Sequence, residues 1–112
     1  MTNEEAAKVI DYTMVLLNDP AKWSKNSTFK EVCNEAGETF TLSCALKTAH
    51  HEALGLHSYG SRTIAMERVR KMIAKYFLWR YGIHPITNFN RHKKTTFNDL
   101  QFILHKTRES FQ

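Results

Sequence analysis

Four sets of apolar residues in this chain recur at intervals of three and four, and the first three stop at residues a helix does not accommodate. Ala6, Ile10, Met14 and Leu17 run up to Asn18-Asp19-Pro20; Leu42, Ala45, Leu46, Ala49 and Ala53 run up to Gly55. Ala65, Val69, Met72, Ile73, Tyr76 and Phe77 end before Gly82 and His84-Pro85, and Leu100, Ile103, Leu104, Thr107 and Phe111 close the chain. That spacing places each set along one side of a helix. Gly just past a helix favours a left-handed cap, and Pro removes the N–H that would continue the ladder. The pattern therefore predicts a mainly α, compact four-helix domain with helices near 3–18, 43–54, 62–81 and 96–109.

Start signals agree with those spans. Thr2-Asn3-Glu4-Glu5 reads as a capping box, Ser61 is a candidate N-cap for the longest helix, and Thr96-Phe97-Asn98-Asp99 supplies a cap with an acid in the first turn. Between the first two helices the periodicity lapses, and Trp23, Phe29, Val32 and Phe40 stand as separate anchors in a long ordered loop. A short β-hairpin pairing 29–33 with 39–42 about Asn34-Glu35-Ala36-Gly37 is one reading of that loop. Residues 86–90 read as an irregular linker.

At 112 residues and 42% hydrophobic, the chain suits one domain spanning 1–112. No apolar run approaches the roughly 20 residues of a membrane span. Met-Thr-Asn-Glu-Glu is acidic where an export signal is basic, so a cytoplasmic location is expected. Cys33 and Cys44 are too far apart for a CxxC motif, and in a reducing compartment they are expected as free thiols.

Charge is divided sharply along the chain. Residues 1–60 carry five Lys/Arg against eight Asp/Glu, net −3, whereas residues 61–112 carry eleven against three, net +8. Such a basic module suits nucleic acid or an anionic protein surface. On the third helix Arg68, Lys71 and Lys75 fall on the side opposite the apolar stripe, with Arg62 and Arg70 flanking and Arg80 extending the line. Arg91, Lys93 and Lys94 form a second basic run. Trp79 and Tyr81 sit among these cations, placed either to pack on the first loop or to stack on a partner. The candidate binding residues are thus Arg62, Arg68, Lys71, Lys75, Trp79, Arg80, Arg91, Lys93 and Lys94.

Signals for chemistry are sparse. His50 and His51 are adjacent and diverge by about 100° around a helix, unlike the one-turn spacing of paired zinc ligands, and His57 lies beyond Gly55. They are expected as surface histidines, with no metal and no cofactor. The chain has no GxSxG, GxxxxGK[ST] or GxGxxG, and Cys44 inside Leu-Ser-Cys-Ala-Leu reads as core, not as a nucleophile, so an enzyme is not expected. A helix-turn-helix formed by the second and third helices is a further candidate, its turn longer than usual.

The order of landmarks resembles an uncharacterised family of small helical proteins in bacterial and phage genomes. The likeness rests on Trp23, the Gly37 turn, Leu42-Ser43-Cys44-Ala45-Leu46-Lys47-Thr48-Ala49, the 86–90 segment ending in Asn90, and Thr95/Thr96 before the closing helix. The chain departs from that pattern in having no Gly inside the Cys44 helix and Arg91 after Asn90. The resemblance implies a helical fold and a phage or mobile-element origin, and it transfers no site. The expected function is a small non-enzymatic binding protein whose basic half engages nucleic acid or a nucleic-acid-processing host complex as an inhibitor. The alternative is a protein–protein module or homodimer anchored by exposed aromatics of the long helix.

Overall fold

The computed structural model describes residues 1–26, 33, 37–55 and 62–112, and they build five α-helices. These are α1 (Asn3–Leu16), α2 (Leu42–Leu54), α3 (Ile64–Tyr76), α4 (Pro85–Arg91) and α5 (Phe97–Glu109). Single 3-10 turns at Pro20–Lys22 and Leu78–Arg80 follow α1 and α3. The mainly α expectation holds, with two changes. The third helix is shorter than 62–81, and the 86–90 segment, expected as a linker, is the core of α4. Seven residues is too short a span for apolar periodicity to register, yet α4 buries Ile86 and Phe89 and contacts both α2 and α3.

Threonine starts four of these helices. The hydroxyls of Thr2, Thr41, Thr63 and Thr96 accept from the backbone N–H three residues on, satisfying a donor that has no partner inside the helix. At Thr2 and Thr96 the box closes both ways, because Glu5 and Asp99 accept from the cap's own N–H at 2.9 and 3.1 Å. The cap of α3 is therefore Thr63 and not Ser61. At the other end of α2, Gly55 takes φ +67°, and its N–H reaches the carbonyl of His51 at 2.8 Å.

α1 makes its broadest contact with α2, where Ala6 and Ala7 on one helix and Ala45 and Ala49 on the other are buried. Small residues there let the two backbones approach closely. α3 and α5 pack on α1 and on each other, enclosing Val69, Ile73, Leu100, Ile103 and Leu104. Cross-links tie the layers: Gln101 donates to the Leu17 carbonyl at 2.7 Å, and Arg108 pairs with Asp11 at 2.8 Å. The radius of gyration, 12.6 Å, is close to the roughly 13 Å expected of a compact domain this long.

Two expectations about the first loop are overturned. Phe40 pairs in a single parallel bridge with Trp23, with Ser24 N donating to Phe40 O at 2.9 Å and Phe40 N to Lys22 O at 2.8 Å. Leu42 already belongs to α2, so 39–42 does not form a hairpin strand; residues 29–32 lie outside the described residues. Cys33 and Cys44 are joined as a disulfide, their Cα atoms 5.4 Å apart, so neither is a free thiol. They lie 11 positions apart in the sequence, and spacing alone does not reveal that Cys33 meets α2. Within the described residues, no helix is long and apolar enough to cross a membrane.

Candidate nucleic-acid interface

The connection between α3 and α4 decides which side chains leave the surface. α3 ends at Tyr76, Phe77 leaves helical geometry at φ −139°, and the chain turns once through Leu78–Arg80. Gly82 follows at φ +60°. A Cβ on Gly82 would overlap the side-chain amide of Asn88, which donates to the Tyr81 carbonyl at 3.4 Å and clamps the turn. Pro85 then opens α4 with its fixed φ.

Adjacent residues on this turn are sent in opposite directions. Trp79 is 77% exposed and Ile83 90% exposed, and Leu78 beside them is also largely in solvent. Arg80 turns inward, its side chain only 10% exposed. It donates to Asp99 at 2.9 Å and Thr95 at 3.2 Å and lies 4.5 Å over the Phe77 ring, while its buried Nε has no hydrogen-bond partner among the described residues. Arg80 thus ties the turn to the start of α5 and does not extend an exposed line of cations. Asp99 answers from the other side: burial works to raise its carboxyl, but the Arg80 and Thr96 hydrogen bonds outweigh it and hold the group below its usual range.

Trp79 and Arg80 line a shallow groove of about 390 Å³ with Gly82, Asn88, Arg91 and His92. Desolvation, then the positive charges of Arg80, Lys94, Lys93 and Lys25, depress the His92 imidazole. The four cations thus gather around His92. Lys25 reaches this patch from the acidic half of the chain, donating to the Thr95 carbonyl at 2.8 Å. Sequence reading missed it, since its partner lies 70 positions away and nothing local signals the contact.

The predicted residues accordingly divide. Trp79, Arg80 and Arg91 come together at the groove, and Lys93 and Lys94 are exposed on the turn just beyond α4. Arg68 belongs to the α3–α5 contact, donating to Ser110 O and Oγ at 2.8 Å and covering the Phe111 ring. Lys71 and Lys75 are exposed on α3, the latter 5.3 Å from the Tyr76 ring. Arg62 stands at a different cleft beside Glu67. Tyr81 is half-buried against the core, so of the two aromatics only Trp79 is presented.

The other candidates fare as follows. α2 packs chiefly on α1 and α3 chiefly on α5, not on each other as a helix-turn-helix pair, and residues 56–61 between them lie outside the described residues. His50, expected at the surface, is fully buried, with Nδ1 2.7 Å from the Leu46 carbonyl and Nε2 2.8 Å from the Thr63 hydroxyl. Burial is tolerated despite its polarity because both ring nitrogens find partners. Among the described residues, no three His, Cys, Asp or Glu side chains are grouped to hold a metal ion. No family model, curated protein or solved structure matches this chain.

Proposed function

We propose that this protein is a non-enzymatic binding protein whose basic half engages single-stranded nucleic acid across the groove beside Trp79. One observation carries the reading: an indole 77% exposed stands at a groove whose walls and surroundings are cationic. Bases stack on an exposed aromatic face regardless of sequence, and a line of Lys and Arg follows the phosphates. Arg91, Lys93, Lys94 and Lys25 supply that line, while duplexed bases would be inaccessible to the indole. The resemblance to small proteins of phage genomes accords with a chain of mobile-element origin that interferes with host handling of nucleic acid.

Fluorescence anisotropy with a labelled oligonucleotide tests this. Affinity should fall with salt at a slope of about 0.7 per phosphate neutralised. Trp79→Ala should weaken binding by about 1–3 kcal/mol, and Arg91→Gln should reduce the salt slope by roughly one phosphate's worth. A flat salt response, or unchanged affinity in Trp79→Ala, overturns the reading. The exposed run of Leu78, Trp79 and Ile83 favours a second reading, a protein contact or homodimer anchored on those side chains. Sedimentation separates the two, because a dimer lost in Ile83→Ser with oligonucleotide binding absent identifies the protein interface.

A further inference from the structure

One face of α3 and α5 repeats the chemistry of the Trp79 groove. Tyr76, the last residue of α3, meets Phe102 of α5 edge-to-face, their ring centroids 5.0 Å apart. Phe102 is 39% exposed, so the pair reaches solvent. Two ammonium groups stand around it: Lys75 Nζ lies 5.3 Å from the Tyr76 ring, and Lys106 Nζ lies 5.9 Å from Tyr76 and 5.6 Å from Phe102. This face and the groove are joined through Phe77. Its ring is 6.1 Å from that of Phe102 and carries the Arg80 guanidinium at 4.5 Å, and Arg80 lines the groove beside Trp79. Building on the reading of that groove, we propose that Tyr76 and Phe102 form a second base-stacking platform, so that the ligand is a single strand long enough to lie across both.

Charge and spacing favour that occupant. Lys71 and Lys75 are exposed one turn apart on α3 and enter no ion pair among the described residues. Lys106 has Glu109 at 3.5 Å, but that carboxylate is 61% exposed, and such a pair contributes little in water. Lys75 and Lys106 share the Tyr76 ring and repel each other, and a phosphate beside them relieves the repulsion. Along the surface, rings and cations come in turn: Trp79 with Arg91, then Tyr76 and Phe102 with Lys75 and Lys106. A strand alternates base and phosphate in the same way, whereas an acidic peptide matches the cations alone. Tyr76 and Trp79 are close in the chain, their Cα atoms separated by at most about 11 Å. That is about three steps of a stacked strand at roughly 3.4 Å each.

Fluorescence anisotropy of the full chain with a labelled oligothymidylate of about twelve nucleotides, within the site sizes of such proteins, tests the proposal. Phe102→Leu keeps an apolar contact with Tyr76 but removes the ring, and it should weaken binding at least about fivefold, the lower end for one stacked base. Phe102→Trp should restore the affinity, which a merely structural role would not produce. Lys75→Gln and Lys106→Gln should each lower the salt slope by about 0.7 with an unchanged circular dichroism spectrum. Parent affinity in Phe102→Leu, or a Phe102→Trp variant as weak as Phe102→Leu, overturns the inference. So does a polyglutamate peptide of equal charge that competes as well as the oligonucleotide, which assigns the face to an acidic protein. Loss of affinity in Trp79→Ala but not in Phe102→Leu removes the second platform and leaves the groove reading standing. The reverse pattern supports the platform and removes the groove, so the two failures are distinguishable.

Discussion

The indole of Trp23 donates a 2.7 Å hydrogen bond to the side-chain oxygen of Asn90, 67 positions later. The same oxygen accepts from Leu42 N at 3.0 Å, and the Asn90 amide donates to the Ser24 carbonyl at 3.0 Å. One fully buried side chain thus joins the start of the first loop, the start of α2 and α4. Asn90→Ala removes three bonds and strands two donors, so it should lower stability by about 3 kcal/mol. Trp23→Phe should lose less, and the double-mutant cycle should give a coupling of about 1 kcal/mol. Urea unfolding of the four variants measures it; additive losses would mean that the bond contributes nothing.

Arg80 and Asp99 make a second prediction, resting on an ion pair that is mostly shielded from water. Arg80→Met should destabilise by about 2 kcal/mol, since it leaves a partly buried carboxylate without its cation. The pH dependence has a definite sign. Because the folded-state pKa of Asp99 is depressed, the unfolded chain binds its proton first as pH falls. The stabilisation is present above about pH 4 and is lost as pH falls through the lower, folded-state value. Urea midpoints between pH 5 and 2 should show that loss in the parent chain and a shallower one in Arg80→Met.

His50 titrates in a higher window. Leu46 offers only a carbonyl to Nδ1, so Nδ1 carries the proton and Nε2 accepts from the Thr63 hydroxyl, which itself caps α3. Burial holds this imidazole below its usual pKa despite the Leu46 bond, which acts the other way. Stability should therefore be full above about pH 6.5 and decline as pH falls below it, because the unfolded chain takes up the proton first. His50→Gln should be less stable at pH 7.5 yet lose less between pH 6.5 and 5. His92, depressed in the same direction, keeps that variant's curve from becoming flat.

The disulfide closes a loop between residues 11 positions apart, for which chain entropy predicts about 3 kcal/mol. Guanidinium midpoints with and without reductant should differ accordingly, and Cys33→Ser should reproduce the reduced value. Equal midpoints, or two titratable thiols in the native protein, would remove the bond from the account.

Two glycines separate conformational strain from crowding. Gly55 and Gly82 both have positive φ, but a Cβ at Gly55 meets nothing within 4 Å among the described residues, whereas one at Gly82 collides with Asn88. Gly55→Ala should cost about 1 kcal/mol. Gly82→Ala should cost about 3 kcal/mol, adding displacement of the Asn88 clamp to the strain. Thermal unfolding compares them directly.

Sequence alone determined the helical class and most helix ends in this protein, because those depend on local chemistry. Threonine hydroxyls reach the N–H three residues on, Gly55 accepts a left-handed turn, and apolar side chains three and four apart share a face whatever surrounds them. The division of charge was legible as well, whereas the sequence left Trp79 and Tyr81 open between packing and presentation. Tertiary structure decided the rest. It drew α4 into helix around Phe89, turned Arg80 inward while Trp79 faced out, buried His50 between two partners and closed Cys33 onto Cys44. It also brought Lys25 to the basic patch and set Phe102 of α5 against Tyr76 of α3. Each of these rests on groups far apart in the chain, or on which side of a short turn meets the core, and a local pattern carries no record of such partners.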